Sequence, residues 1–326
     1  MNRSLYFTAP HRVDVRDETV RPPLAGEVWV ETTASAISPG TELLVYRGQA
    51  PTELAVDETI SALPGLFSFP LKYGYAAVGR VAALGPDVDE SWLNRLVFAF
   101  NPHESHFTAA AANLLPLPAD VDVDTALFLP NMETAVNFLH DGAPLVGERV
   151  AVFGQGIVGL LTTSLLAQMP LANLTTFDRY PLRREASRSL GAHASLDPSE
   201  PTDLQADLTY ELSGSPATLD QAIAATGFDG RVIIGSWYGQ KRADLNLGGR
   251  FHRSRIRLIS SQVSTLAPEL SGRWTKARRM EVAWQLLREV KPARLITHRF
   301  PLAEAAKAYE LIDQRPETCI QVVLTY

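Results

Sequence analysis

From Arg149 to Ser236 the sequence alternates short apolar runs with amphipathic ones, and this restricts the fold more than any other feature. RVAVFG (149–154), NLTTFD (173–178), ADLTYELSG (206–214) and GRVIIGS (230–236) read as buried strands. Between them, GIVGLLTTSLLAQM (156–169), PLRREASRSLGA (181–192) and PATLDQAIAAT (216–226) carry helical periodicity. IRLISSQ (256–262) reads as one more strand. Apolar strands separated by helices need crossover connections, so a parallel sheet covered by helices on both faces is expected.

The flanking chain follows a different pattern. Residues 1 to about 120 are mostly β in character, with strand-like runs at EVWVETTASAIS (27–38), AAVGRVAALG (76–85) and RLVFAF (95–100). The segment 49–74 contains Pro51, Pro64, Gly65 and Pro70 and reads as a long irregular loop. DTALFLPNMETAVNFLH (124–140) has helical spacing interrupted at Pro130. In RMEVAWQLLREV, Met280, Ala283, Trp284, Leu287 and Val290 share one helix face. ITHRFP, the helix LAEAAKAYELID (302–313) and the strand CIQVVLTY then return the tail to the first domain. With 326 residues, two domains are expected. We place them at 1–122 with 266–326, and at 123–265.

Composition removes several classes. A 46% hydrophobic and 20% charged chain is globular rather than disordered. Thirty basic against 36 acidic residues leave a net charge of -6, so nucleic acid is not an expected partner. The single cysteine, Cys319, rules out an internal disulfide and a multi-cysteine zinc site, and reads as a small core residue. The opening residues lack the apolar core of a signal peptide, and no apolar run is long enough to span a membrane. A soluble protein of the cytoplasm is expected.

The sharpest local motif is Gly154-Gln155-Gly156-Ile157-Val158-Gly159, between a strand and a helix. Gly154 suits a tight turn, Gly156 lets the backbone approach a pyrophosphate, and Gly159 lets helix and strand pack closely. The pyrophosphate would meet the positive end of the helix dipole. Asp178 ends the next strand, where a carboxylate accepts the adenosine ribose hydroxyls and repels a 2′-phosphate. NAD is therefore expected. Arg179, Arg183 and Arg184 follow directly and leave NADP possible.

These motifs resemble the medium-chain dehydrogenase/reductase superfamily over nearly the whole chain. GERVAVFGQGIVGLLTTSLLA is similar to its cofactor turn and RREASRSLGA to its second helix. YELSGSPATLDQAI and GRVIIGSW are similar to its fourth and fifth cofactor-domain strands, which adds Ser213, Gly214, Gly235 and Ser236 to the cofactor contacts implied. ISPGTELLVYRG and GYAAVGRVAALG resemble its catalytic domain, and ITHRFPLAEAAKAYELI its C-terminal segment. The resemblance implies an α/β chain with a Rossmann doubly wound parallel sheet inserted in a GroES-like β-rich catalytic domain. It also implies an active site in the cleft between them.

The chain departs from the zinc members at their metal ligands. Ile37-Ser38-Pro39-Gly40-Thr41-Glu42 stands where they carry a cysteine, and Gly74-Tyr75-Ala76 where they carry Gly-His-Glu. The chain most resembles zinc-lacking, threonine-dehydrogenase-like or bacteriochlorophyllide-dehydrogenase-like members, and no zinc is expected. Hydride transfer without zinc needs a hydrogen-bond donor for the substrate oxygen. Thr41 matches the family position whose hydroxyl relays the proton, Tyr75 replaces the histidine ligand, and Ser38 neighbours the lost cysteine. Glu42 is placed to orient Thr41, and His103 and His106 to line the entrance. Each has a structural alternative: Thr41 holding the Pro39-Gly40 turn, Tyr75 filling the vacated volume, His103 and His106 as surface residues. His103, Glu104 and His106 could bind metal only with a third partner, which is not identifiable. Glu133 is expected to bond backbone or sit at the domain junction. RFHRSRIR (250–257) reads as an anion site or, preferably, a solvated charged connection. Tyr75, Phe100, Trp237 and Tyr238 suggest an apolar or aromatic substrate.

The expected activity is zinc-independent, NAD(P)-dependent hydride exchange with an alcohol or carbonyl small molecule. The alternatives are an enoyl or quinone-type double-bond reductase and a catalytically silent nucleotide-binding protein. The apolar edge IRLISSQ would be unsafe if bare, and a homodimer is expected.

Overall fold

Alternation of buried and exposed side chains builds the amino-terminal sheet. The computed structural model describes residues 2–200 and 203–326. β1 (Asn2–Ala9) and β2 (Arg12–Glu18) form an antiparallel pair. In β3 (Glu27–Ala36), Val28 and Val30 are fully buried while Glu31 faces water, the inward and outward periodicity of a strand. After helix α1 (Pro39–Tyr46) and a stretch without regular strands or helices come β4 (Ala77–Leu84), β5 (Leu96–Ala99), β6 (His106–Ala110) and β7 (Leu115–Pro116). The next helical segment breaks at 127–128 into α2 (Val123–Ala126) and α3 (Leu129–Gly142), and Pro130 is the second residue of α3, in the first turn where a missing N–H costs no intrahelical bond.

The second region has the alternation its sequence predicts. β8 (Arg149–Phe153) leads to α4 (Ile157–Leu166), β9 (Asn173–Phe177) to α5 (Pro181–Ser189), and β10 (Ala194–Leu196) to β11 (Ala206–Glu211). α6 (Pro216–Ala225), β12 (Thr226–Ile234) and β13 (Arg257–Ser260) follow. All six strands are parallel, in the order β10-β9-β8-β11-β12-β13. This is the 3-2-1-4-5-6 order of the doubly wound dinucleotide-binding fold. One face packs Val152, Leu174, Leu208, Tyr210 and Ile233 together. The other packs Phe153, Phe177, Leu219, Ile223 and Val232.

α7 (Lys276–Val290), β14 (Ile296–Pro301), α8 (Ala305–Gln314) and β15 (Gln321–Thr325) complete the chain. β15 joins β14 in parallel and β3 antiparallel, in the sheet β14-β15-β3-β4-β5-β7, with β6 paired to β3. Leu5, Phe7, Ile37, Leu302, Tyr309 and Val322 form the centre of the core there. The two compact units are 1–130 with 287–326, and 131–286. They differ from the expected 122/123 and 265/266 boundaries; Arg279 of α7, bound to Glu133 and Asn137 of α3, ties the start of α7 into the second unit. Among the described residues, no helix is long and apolar enough to cross a membrane.

Arg231 of β12 fastens the end of α3 beside the sheet. Its guanidinium donates to the Gly142 carbonyl at 2.6 Å and the Ala143 carbonyl at 2.9 Å, and forks onto Glu148 at 2.8 and 2.9 Å. Burial pushes the Glu148 carboxyl up, but hydrogen bonds from Arg231 and Leu145 N–H outweigh it and hold the carboxyl below its ordinary value. A lowered carboxyl pKa contributes stability above the ordinary glutamate range and loses it as pH falls through the lowered value. Arg231→Met should cost about 2–4 kcal/mol at neutral pH by stranding the carboxylate. Urea unfolding from pH 7 to pH 3 should then show a smaller acid-side loss in the variant than in the parent protein.

Candidate active site

Three glycines shape the turn from β8 into α4, each for a different reason. Gly154 has φ +92°, and a Cβ on it would lie 2.6 Å from the Leu212 backbone. A Cβ on Gly159 would lie 2.0 Å from the Gly154 carbonyl oxygen. Gly156 is different: its φ of -67° suits any residue, and nothing lies within 4 Å of where its Cβ would be. Neither conformation nor packing demands glycine there. What its bare backbone preserves is open approach to the start of α4, which no side chain caps and where no acidic residue lies in the first turn. Buried Ile157 and half-buried Val158 anchor that first turn.

Asp178 is buried and held by backbone. Its Oδ2 accepts the Gln155 N–H at 2.8 Å and its Oδ1 the Tyr180 N–H at 2.9 Å. The carboxylate is thereby fixed against the glycine turn. Gln155 needs correction as a cofactor contact. Its N–H is given to Asp178, and its fully buried side chain bonds the Gly154 carbonyl at 3.1 Å and Thr163 at 3.0 Å. Arg179 and Arg183 lie 4.8 and 5.0 Å from the Tyr180 ring centroid as cation–π partners. Arg184 donates to the Asp178 carbonyl at 2.8 Å and pairs with Asp197 at 2.9 Å.

The ends of β11 and β12 are tied together by Glu211, which sequence reasoning missed. Fully buried, it accepts from the Ser213 N–H at 2.9 Å, from the Ser213 hydroxyl, and from Tyr238 at 2.5 Å. Gly214 N–H donates to Ser236 Oγ at 2.8 Å. A Cβ on Gly235 would lie 2.3 Å from the Phe138 ring, so this glycine serves close packing. A lone acid at the end of an apolar strand was the signal, because an unpaired carboxylate is rarely buried.

In the other unit, three hydroxyls meet. Ser38 is the N-cap of α1, yet its side chain makes no capping bond. Glu42 supplies the local contact instead, accepting the Ser38 N–H at 2.7 Å. This frees the Ser38 hydroxyl to make a close hydrogen bond with the Tyr75 hydroxyl, which lies 3.4 Å from Thr41 Oγ1. Burial raises the Tyr75 phenol above its ordinary value, and the bonds to Ser38 and Thr41 oppose that shift. The set can offer a neutral O–H to a developing negative charge on oxygen.

Glu42 and His103 support this set from beneath, which corrects two expectations. Glu42 does not bond Thr41. Both it and His103 are fully buried, with Glu42 Oε2 3.0 Å from His103 Nε2 and accepting also from Tyr309. His103 is therefore a core residue and not a surface one. Its Nδ1 is 2.7 Å from Ser35 Oγ, which is 2.7 Å from the Tyr326 hydroxyl. Gly74 has φ +108°, and a Cβ there would lie 2.6 Å from the His103 ring. Three neutral hydroxyls are a poor donor set for zinc, and the nearby imidazole and carboxylate are already engaged.

The other candidates lie apart. Glu104 bonds Lys72 at 2.5 Å and Asn101 at 3.0 Å, while His106 is half-buried beside Trp29. They do not converge with His103, and no cluster of metal-ligating side chains occurs among the described residues. Glu133 bonds the Arg279 side chain rather than backbone. Arg250 donates to the Thr226 carbonyl at 2.8 Å as part of a connection before β13, and Cys319 is buried. Phe100 packs edge-on to Phe98, and Trp237 is 38% exposed.

No family model matches the chain. It is similar to D-guloside 3-dehydrogenase of Escherichia coli K12, at 23% identity over 99% of this chain and 100% of that one. It is similar to 2-desacetyl-2-hydroxyethyl bacteriochlorophyllide A dehydrogenase of Cereibacter sphaeroides, at 26% identity over 99% and 98%. Among solved structures it resembles a short chain alcohol dehydrogenase from Escherichia coli CFT073 complexed with NADH, with TM-score 0.80, 19% identity, and 100% and 99% of the chains covered. A putative zinc-binding dehydrogenase from Sinorhizobium meliloti bound to NADP superposes with TM-score 0.77 at 17% identity, over 100% and 99%.

The glycines separate shape from function in a testable way. Gly156→Ala should fold with an unchanged melting temperature and bind NADH about tenfold more weakly, because its methyl group fills only the approach to α4. Gly159→Ala should instead lower the melting temperature, since backbone must move. Parallel thermal melts and fluorescence titrations read both outcomes. In sequence the chain is similar to dehydrogenases over almost its whole length, and its fold is that of solved dehydrogenase structures.

Proposed function

We propose that this protein is a zinc-independent, NAD(P)-dependent oxidoreductase that exchanges hydride with an alcohol or carbonyl substrate. One observation carries the reading: Ser38 gives up its capping role and pairs with Tyr75, at positions where the resemblance implies the metal ligands of zinc members. The nicotinamide cofactor supplies or accepts the hydride when bound. The chain's own residues handle the oxygen. In carbonyl reduction, Tyr75, held by Ser38 and Thr41, donates a hydrogen bond and then a proton to the substrate oxygen; in alcohol oxidation the proton returns. The backbone around Gly156 receives the pyrophosphate, and Asp178 favours NAD by repelling a 2′-phosphate. Arg179 and Arg183 are the residues through which NADP would be accommodated.

The same reading places the protein in the cytoplasm as a homodimer. β13 is the outer strand of its sheet, with Leu258 and Ile259 only half-buried, and an edge of this kind calls for cover.

Fluorescence titration with NADH and NADPH side by side tests the cofactor reading, and tighter NADH binding is expected. Failure to bind either would overturn it. A panel of secondary alcohols, ketones and conjugated enones follows, and turnover of enones alone would replace the alcohol reading with double-bond reduction. Tyr75→Phe should lower kcat for ketone reduction by about 100-fold while leaving NADH affinity unchanged. Because burial raises the phenol, reduction by the parent protein should hold level through neutral pH. It should fall only as pH rises above the ordinary tyrosine range.

A further inference from the structure

Arg279 is the bulkiest fully buried side chain among the described residues, and all five of its N–H donors find acceptors. Nε donates to Glu133 Oε1 at 3.1 Å, and Nη2 to the same oxygen at 2.9 Å. Nη1 donates to Asn137 Oδ1 at 2.5 Å and the Thr265 carbonyl at 3.1 Å, while Nη2 also reaches the Val263 carbonyl. A guanidinium is costly to strip of water, so a fully matched one marks a place where geometry is tightly specified.

That place is the segment 261–265, immediately beyond the carboxyl end of β13. In a doubly wound sheet, ligands bind outside the carboxyl ends of the strands, and the two halves of the sheet take the two halves of a dinucleotide. β8, β9 and β10 make the half with the glycine turn and Asp178. β11, β12 and β13 make the other half. Arg279 turns two carbonyls of the 261–265 segment inward and fixes them to α3. Asn137 adds a third anchor at Ser261 Oγ, 2.9 Å away.

We propose that Arg279 is a positioning residue for the nicotinamide half of the cofactor: it holds the segment 261–265 in the conformation that receives that half. The inference rests on the proposed cofactor, and the test separates the two. ADP-ribose retains the adenosine and pyrophosphate of NADH but lacks the nicotinamide. Arg279→Lys keeps the charge but offers three donors in place of the planar five. The variant should bind NADH about tenfold more weakly and ADP-ribose within about twofold of the parent. Equal weakening of both, or of neither, in a folded variant would overturn the proposal. A measurement on the unaltered protein covers the case in which the variant does not fold. Amide hydrogen exchange across 261–266 should slow more with NADH than with ADP-ribose, and equal protection by the two would overturn the proposal. A parent protein that binds neither ligand would overturn the cofactor reading itself.

Discussion

The carboxylate of Glu42 has no access to water, so every one of its partners must come from the protein. It finds a backbone N–H, an imidazole and a phenol, from α1, the segment after β5 and α8. Removing any one of them would leave a buried charge short of a partner, a larger penalty than the loss of an exposed bond. The hydroxyl site inherits its rigidity from this. Ser38 is held through its backbone, and Tyr75 follows a glycine pressed against the His103 ring. The same logic recurs in the other unit, where Glu211 knots two strand ends and Arg279 secures a third. Three buried ionic groups thus organise the loops, while apolar packing organises the sheets.

Much of the fold was legible in the sequence because a parallel sheet must bury both faces. β8, β9, β11 and β12 announce themselves as apolar runs, and the glycine turn sits where strand gives way to helix. β10 was not legible: three residues in AHASL carry too little periodicity to be read. α1 was hidden for another reason. PGTELLVY begins with two poor helix formers, and its residues from Glu42 onward are buried, so the usual polar face is missing.

The site was read less well than the fold, and the errors have a common cause. Gln155 and His103 were judged by the usual habits of polar residues, which face solvent or ligand, and Glu133 by its place in the chain. Each is buried and turned toward another part of the protein. Pairing between distant residues, such as Glu133 with Arg279 or Glu42 with Tyr309, leaves no local trace in one sequence. Thr41, Tyr75 and Ser38 were singled out because the resemblance gave their positions a chemical meaning. Their mutual hydrogen bonds needed coordinates.

The path of the chain has a consequence for its synthesis. The unit with the parallel sheet is continuous, from 131 to 286, whereas the unit with the hydroxyl site is interrupted between 130 and 287. β3 finds its neighbour β15, and Glu42 its partner Tyr309, only when the last part of the chain has emerged. Domains fold as units during translation once their residues are available. The continuous unit can therefore be complete while the older end of the nascent chain still waits for its sheet to close. The hydroxyls of Ser38, Thr41 and Tyr75 are synthesised first, yet the core that fixes them closes last.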